Sequence, residues 1–370
     1  MVDEEFVLER AFKIKKVKNH YSTEEKEIID EANAIINSRN NLVRGLESYV
    51  ESLLITLSNN VNDERNWQPS DFLPDFSLEK RWWVRKKWIR EVKKLQKQSI
   101  GISDELMVVL IGNLVTEEAL PTYQTFLNKF DSIKDLTGEQ NTPFARWTKG
   151  WTAEENRHGD LLYGYSYLSG RFNMRIVHNT IQSLLINGFD AGAGEDPFKL
   201  FIYTSFQERA THISHTNTGK IARRQGDELL YKICGLIAKD EKKHETFYKK
   251  CNGKIFDLDP NGAMTSYSWM MKKQISMPAK LISDGKNPNL FEDFSATAEH
   301  TGVYTARDYS EIISHLNKEW KIGDIKTTTD EANQAQEYLL ALPERYSNLA
   351  DRRKKSQKIF DPKCFAWLKT

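Results

Sequence analysis

Two short stretches restrict the fold of this chain more than anything else in it: WTAEENRHGD, Trp151 to Asp160, and DEKKHE, Asp240 to Glu245. Each holds a Glu-x-x-His pair, Glu155 with His158 and Glu241 with His244. On an α-helix, residues three apart share a face about one turn from each other, so a carboxylate and an imidazole at this spacing can grip one metal ion. Spacing alone is weak, because 30 Glu and 8 His in 370 residues supply roughly 0.6 such pair by chance. Two further glutamates strengthen it. Glu117 lies 38 residues before Glu155 and Glu208 lies 33 before Glu241, so the chain reads Glu, then Glu-x-x-His, twice over. Four carboxylates balance two divalent cations, and neutral imidazoles add nothing. Without metal, four converging buried carboxylates cost several kcal/mol each or take up protons. The bland alternative is a set of solvated helix faces, which the flanking Asp240, Lys242 and Lys243 would suit.

This arrangement is similar to the ligand set of ferritin-like di-iron carboxylate proteins, in which two helices give one Glu each and two give Glu-x-x-His. It implies an all-α, ferritin-like di-iron four-helix bundle with additional helices. The expected layout is one domain over residues 1–370, with the ligand-bearing bundle at about 100–250 and a C-terminal helical extension at about 276–370. With 39% hydrophobic residues, 18 Phe, 14 Tyr and 9 Trp, the chain can bury a large core. A net charge of +1 excludes a broad nucleic-acid footprint, which needs a strongly basic face. Cys234, Cys251 and Cys364 form no C-x-x-C pair, which fits a reducing compartment. No run of 18 apolar residues is present, so no transmembrane segment is expected. The acidic start, MVDEEFVLER, is unlike a targeting peptide. The expectation is a cytoplasmic protein, or one of the plastid stroma if a transit peptide has been removed.

Along the chain, Ser22-x-x-Glu25 is a capping box that opens a helix. Leu42, Leu46, Tyr49, Val50, Leu53, Leu54 and Leu57 repeat at helical spacing, giving one long helix or two joined near Asn40 and Asn41. Asn66 to Phe76, with two prolines, is a loop. Lys80 to Lys97 holds nine Lys or Arg beside Trp82, Trp83 and Trp88. A basic amphipathic helix of this kind suits a membrane surface or an acidic partner, although a solvated helix with inward tryptophans is the plainer reading. A helix carrying Glu117 lies between Ser103 and Gly138, with a kink expected at Pro121. Further helices are expected over about Thr142–Gly170, Asn173–Gly188, Phe198–His215, Gln225–Cys251 and Asp330–Leu342, with a loop at Asp190–Pro197. The basic run Arg352 to Lys358 is read as solvated.

With these residues in view, the chain resembles the soluble acyl-acyl-carrier-protein desaturases of the plant stearoyl type. WQPSDFLPD, TEEALPTYQT, WTAEENRHGDLL, YLSGR, FIYTSFQERAT, ISMPA, DGKNPNLFEDFSA and a GVYTA stretch follow one another in family order from Trp67 to Tyr309. The resemblance implies a homodimer that uses two iron ions per chain and dioxygen to insert a cis double bond into a saturated chain on acyl carrier protein, with electrons from ferredoxin. It implies the metal ligands Glu117, Glu155, His158, Glu208, Glu241 and His244, with Glu118 and Glu154 as neighbours. Thr211 is implied beside the metals as a proton-handling hydroxyl, the alternative being an ordinary intrahelical hydrogen bond. Asp240 is expected to orient a ligand histidine. Trp67, Trp147 and Trp151 are candidates for an electron path, or simply core. His212 departs from the family, which usually has an aromatic residue there. It and His215 lie on the face of Glu208.

Departures also touch the substrate. Phe126, Lys129, Phe130 and Leu200 are expected to face the acyl chain, with Lys129 and Leu200 bulkier than the family's usual residues. Narrowing of an apolar tunnel would favour palmitoyl or shorter chains over stearoyl, because a steric block outweighs about 0.8 kcal/mol per methylene. The carrier is acidic in the resembled family, and Lys272, Lys273 and Lys280 are the candidate docking residues. Rival readings are an iron-storage ferritin, normally a shorter chain, a radical-generating reductase subunit, and a metal-free bundle. The residue four past His158 is Leu162, not a tyrosine, which argues against the second.

Overall fold

In the computed structural model, residues 4–57, 66–75, 82–354 and 361–369 are described. They form α1 (Glu4–Val17), α2 (Thr23–Arg44), α3 (Glu47–Leu57), α4 (Trp82–Ile100), α5 (Asp104–Glu117), α6 (Leu120–Leu127) and α7 (Pro143–Ser169), followed by α8 (Met174–Asn187), α9 (Pro197–Arg224), α10 (Glu228–Leu258), α11 (Pro260–Lys273), α12 (Leu290–Thr301), α13 (Ala306–Glu319) and α14 (Asp330–Lys354). Among the described residues there is no strand, only an isolated bridge between Phe172 and Leu368. Helices α5, α7, α9 and α10 form the ferritin-like four-helix bundle, and the other ten surround it. No single described helix is long and apolar enough to cross a membrane.

Each bundle helix starts where the sequence supplies a cap. Ser103, Thr142, Asp196 and Asp227 accept from the backbone N–H of Leu106, Ala145, Phe198 and Leu230 at the starts of α5, α7, α9 and α10. Such caps contribute about 1 kcal/mol each by satisfying donors the helix leaves unpaired. The Ser22–Glu25 capping box opens α2 as expected. α9 and α10 are joined by the short turn Gln225–Asp227, and the buried hydroxyl of Tyr165 on α7 donates to Asp227 at 2.6 Å. Every residue of α5 from Leu106 to Glu117 is buried, which explains why its sequence is apolar all round rather than striped.

Several boundaries differ from the sequence reading: α9 runs past His215 to Arg224 and α10 past Cys251 to Leu258, and three further changes have a local cause. The break between α2 and α3 falls at Gly45 and Leu46, not at Asn40 and Asn41. Asn40 instead stays helical, donating to the carbonyl of Ile36 and accepting from the Ser132 backbone N–H. The kink expected at Pro121 is a full break: α5 ends at Glu117, and Pro121 sits in the first turn of α6. Proline cannot donate to the carbonyl four residues back, and its ring clashes there. α14 runs past Leu342 through Pro343 to Lys354. The Leu339 carbonyl that Pro343 leaves free accepts from Asn317 at 2.7 Å, which keeps the helix intact. Lys80 and Arg81, the side chains of Trp82 and Trp83, and Lys355 to Lys358 lie outside what is described. Trp88 turns inward and donates to the Pro74 carbonyl.

Candidate metal centre

The four bundle helices bring Glu117 of α5, Glu155 and His158 of α7, Glu208 of α9, and Glu241 and His244 of α10 into one buried cluster. They form two overlapping sets: Glu117, Glu155, His158 and Glu241, and Glu155, Glu208, Glu241 and His244, with ligand atoms in each set within 4.8 Å of one another. Glu155 and Glu241 belong to both sets and can bridge two cations. His158 Nδ1 lies 3.1 Å from Glu241 and 3.6 Å from both Glu117 and Glu155. His244 Nδ1 lies 2.9 Å from Glu155 and 3.4 Å from Glu208. Despite these distances, both Nδ1 atoms and Oε1 of Glu241 lack a hydrogen-bonding partner. Buried polar atoms that converge without satisfying one another fit a cation between them.

Hydrogen bonds behind the ligands set which nitrogen faces the centre. Nε2 of His158 lies 3.3 Å from Asp240, and Nε2 of His244 lies 2.8 Å from Glu154. With the outer nitrogen donating to a carboxylate, the Nδ1 lone pair is left for a metal. Asp240 also accepts from Arg157 at 2.6 Å and from Trp67 at 3.1 Å, while Trp67 stacks on His158. Lys243 pairs with Glu154. Among the carboxylate ligands, Glu208 accepts from Trp151 at 3.1 Å and Glu117 from His215 at 2.8 Å. The Thr211 hydroxyl reaches Glu241 at 2.6 Å and the backbone carbonyls of Gln207 and Glu208 at 3.1 Å. His212 faces away and pairs with the Ala238 carbonyl at 2.7 Å.

The metal-free electrostatics show protons standing in for cations. Burial opposes charge on both histidines, yet the surrounding carboxylates hold His158 and His244 well above the ordinary imidazole range. Burial pushes Glu208 well up, against the pull of His244, and raises Glu155 with help from Glu241. Burial is outweighed at Glu117 and Asp240, which hydrogen bonds to histidines hold below the carboxylate range.

Beside the cluster lies a cavity of about 80 Å³, walled by Glu117, Trp151 and Thr211 at one end and by Phe126, Phe189 and Tyr203 at the other. A void of about 10 Å³ shares Thr116, Glu117 and Thr211 with it. That void shares Asn113, Ser214, Met277 and Phe294 with a surface cavity of about 440 Å³ whose rim carries Lys273 and Lys280. The three are neighbours through these shared residues, the outermost edged by lysines and the innermost walled by aromatic rings. Of the proposed substrate residues, Phe126 lines the inner cavity. Phe130 packs edge-on behind it at 5.2 Å. Lys129 is exposed beyond the end of α6, with its ammonium 5.1 Å from the Phe126 ring. Leu200 is buried in the core, and neither it nor Lys129 is among the residues lining the inner cavity. The placement of Lys129 assumed one continuous helix after Glu117, a premise that the break at Pro121 removes. α9 does run unbroken from Leu200 to Glu208, but eight residues at 3.6 per turn rotate Leu200 about 80° away from the Glu208 face and into the core. Lys272 is exposed in the last turn of α11, 5.3 Å from the Tyr338 ring, and Lys273 pairs with Glu9.

Sequence reading missed Glu154 as a functional group, although the signal was there: an acid directly precedes the glutamate of each Glu-x-x-His pair. Phe189 carried no signal, since it sits in a loop after Gly188. Residues 38–368 match the family model described as fatty acid desaturase. A Cucumis sativus protein named as a chloroplastic acyl-acyl-carrier-protein desaturase is 46% identical over 327 residues, covering 88% of this chain and 80% of that protein. A chloroplastic stearoyl-acyl-carrier-protein 9-desaturase of Olea europaea is 42% identical over 358 residues, covering 97% and 90%. The solved structure of DesA2 from Mycobacterium tuberculosis H37Rv, assigned as an acyl-ACP desaturase, superposes with a TM-score of 0.51 at 15% identity, over 80% of this chain and 99% of that one, and shares the fold. Two overlapping carboxylate and histidine sets in a four-helix bundle, and extensive identity to these plant proteins, mean that this chain belongs to the fatty acid desaturase family.

Proposed function

We propose that this protein is a dioxygen-dependent desaturase that places a cis double bond in a saturated fatty acyl chain carried on acyl carrier protein, with two iron ions per chain and electrons from a ferredoxin. The observation that carries the reading is the apolar cavity laid directly against two ligand sets that share Glu155 and Glu241. Breaking an unactivated C–H bond needs an oxidant stronger than any side chain, and iron with dioxygen supplies it.

The chain's own residues position and insulate. Asp240 and Glu154 fix the two imidazoles, while Trp151 and His215 fix Glu208 and Glu117, so the ligand cage is held before metal binds. Thr211, donating to Glu241 on the cavity side, holds a proton where substrate and ligands meet. The neighbouring cavities suit an extended acyl chain entering past Met277 and Phe294, and the aromatic wall of the innermost excludes water. Lys273 and Lys280 at the mouth, with Lys272 nearby, give an acidic carrier a basic rim. Trp67, stacked on His158 and bonded to Asp240, is the short path for electrons arriving from outside. A homodimer and a plastid or cytoplasmic setting complete the proposal, the former from family resemblance and the latter with support from the chloroplastic relatives.

Iron-loaded protein incubated with saturated acyl carrier protein, ferredoxin, a reductant and dioxygen should yield a monounsaturated chain, located by mass spectrometry after derivatisation. Failure to desaturate any acyl carrier substrate, with iron and reductant present, would overturn it.

A further inference from the structure

The helix α1 lies outside the stretch that matches the family model, residues 38–368. It is nevertheless fastened to the bundle by buried charge. Glu5 inserts among Arg39 at 3.1 Å, Lys199 at 2.6 Å and Ser266 at 3.0 Å, and Arg39 also pairs with Asp196 at 2.5 Å. Glu4 adds a third, more exposed carboxylate at 2.8 Å from Arg39, while Glu5 and Asp196 are the two buried ones. Without Glu5, Arg39 and Lys199 would share one buried carboxylate, which is strongly unfavourable.

Asp196 is the N-cap of α9 and ends the loop that begins at Gly188. α1 grips that loop directly. Lys15 pairs with Glu195 at 3.1 Å and Lys16 with Asp190 at 3.7 Å. A Cβ at Gly194, whose φ is +58°, would lie 3.5 Å from the Phe12 ring, so Phe12 rests on that glycine. Between α1 and the loop runs a groove of about 680 Å³.

Phe189 lies in this loop and lines both the groove and the inner cavity at the metal cluster. It is wedged between Phe126 at 5.2 Å, Tyr123 at 5.3 Å and Tyr203 at 5.6 Å. One aromatic ring therefore takes part in the wall between the buried end of the cavity and a large solvent groove.

We propose that Phe189, held shut by α1, is the chain-length stop of this enzyme, an inference that rests on the acyl-chain reading of the cavity. With the ring in place the methyl end of the acyl chain meets the aromatic cluster. With the ring removed, or the loop released from α1, the chain extends into the groove.

The test uses iron-loaded full-length protein and carrier proteins bearing myristoyl, palmitoyl, stearoyl and arachidoyl chains, with two readouts. One is the ratio of kcat/KM for stearoyl over palmitoyl. The other is the longest chain that raises Tm, which needs no turnover. Phe189→Ala should raise the ratio about tenfold and extend the binding series by one member. Lys15→Glu with Lys16→Glu, which reverses the charge at both grips of α1 on the loop, should shift both readouts the same way by a smaller factor. An unchanged ratio and series in a Phe189→Ala protein with normal iron content and helicity overturns the proposal. If that variant does not fold, the lysine pair decides, and no shift in it overturns the proposal. A wild type that binds the series without desaturating any member overturns the proposed function alone. One that binds no acyl carrier overturns both.

Discussion

Glu154 and Asp240 each sit one residue before a glutamate shared by both ligand sets, yet neither serves its own pair: each reaches across to the histidine of the other helix. The crossing ties α7 to α10 and makes each imidazole dependent on both. Glu155→Ala and His244→Ala are expected to bind less iron than the two per chain proposed for the wild type and to lose activity while far-UV circular dichroism stays unchanged, because the caps and core that form the helices are elsewhere. Full activity in either variant would exclude these ligands. His215→Ala, which frees Glu117, should weaken metal binding about 10- to 100-fold in a competitive chelator titration, with His215→Gln recovering part of it. A pH effect follows from the raised groups. His158 and His244 titrate above their unfolded value of about 6.5, so the stability they contribute to the metal-free protein is fully present below that pH and is lost as pH rises through the folded values. Raised Glu208 acts in the same direction from lower pH. The Tm of metal-free protein should therefore fall from neutral to alkaline pH, and metal loading should release protons and flatten that fall. Equal pH slopes with and without metal would remove this account.

At the scale of elements, what was legible followed from local rules. The capping residues Thr142 and Asn173 and the positive-φ Gly170 mark α7 and α8 almost to the residue, since a side-chain acceptor and a left-handed glycine act within one turn. The Glu-x-x-His spacing likewise placed the ligand faces, because three residues on a helix fix a direction. The fate of Pro121 was not legible, as kink and break differ only in what packs behind them: here the Thr116 carbonyl is taken by the Tyr123 hydroxyl at 2.8 Å, and α6 turns away. Nor could spacing show that Gly164 of α7 is a contact point for the Trp67 loop. A Cβ there would come within 2.2 Å of Leu73, which lies six residues after Trp67. Gly164→Ala must displace the Leu73 Cδ1 methyl, at a cost of about 1–3 kcal/mol, and so disturb the packing of the loop that carries Trp67. Tm should fall, and reduction of the centre by external electron donor should slow more than binding of the acyl carrier. If electron transfer is untouched while Tm falls, Trp67 is packing only.

Across the whole molecule, neighbouring cavities that share lining residues run beside the carboxylate and histidine cluster, one edged by lysines and one walled by aromatic rings, and under the proposed function substrate selection divides between the lysines and the rings. The rim should act through charge: Lys273 is already shared with Glu9, whose carboxyl is held at about 2 by hydrogen bonds from Lys273 and Lys13, whereas Lys280 makes no ion pair among the described residues. Raising salt should therefore increase KM for the carrier substrate with little change in kcat, because screening shortens to about 8 Å at physiological ionic strength. Lys272→Glu with Lys273→Glu should add to it, and a KM indifferent to both would move the carrier elsewhere. The rings should act through shape. Phe126 walls the cavity and is backed by Phe130, so the space for the methyl end is set by aromatic rings that cannot fold aside. Each methylene of substrate contributes only about 0.8 kcal/mol, less than the cost of displacing a packed ring. Palmitoyl or shorter chains should accordingly be preferred over stearoyl when both carriers compete in one assay. Phe126→Ala should move the ratio toward stearoyl. Leu200→Gly should not, because Leu200 is buried away from the residues lining the cavity and its loss would destabilise the core instead. A wild type that prefers stearoyl refutes the narrowing, and a ratio that moves in Leu200→Gly but not in Phe126→Ala would put the wall of the acyl site on α9 rather than α6.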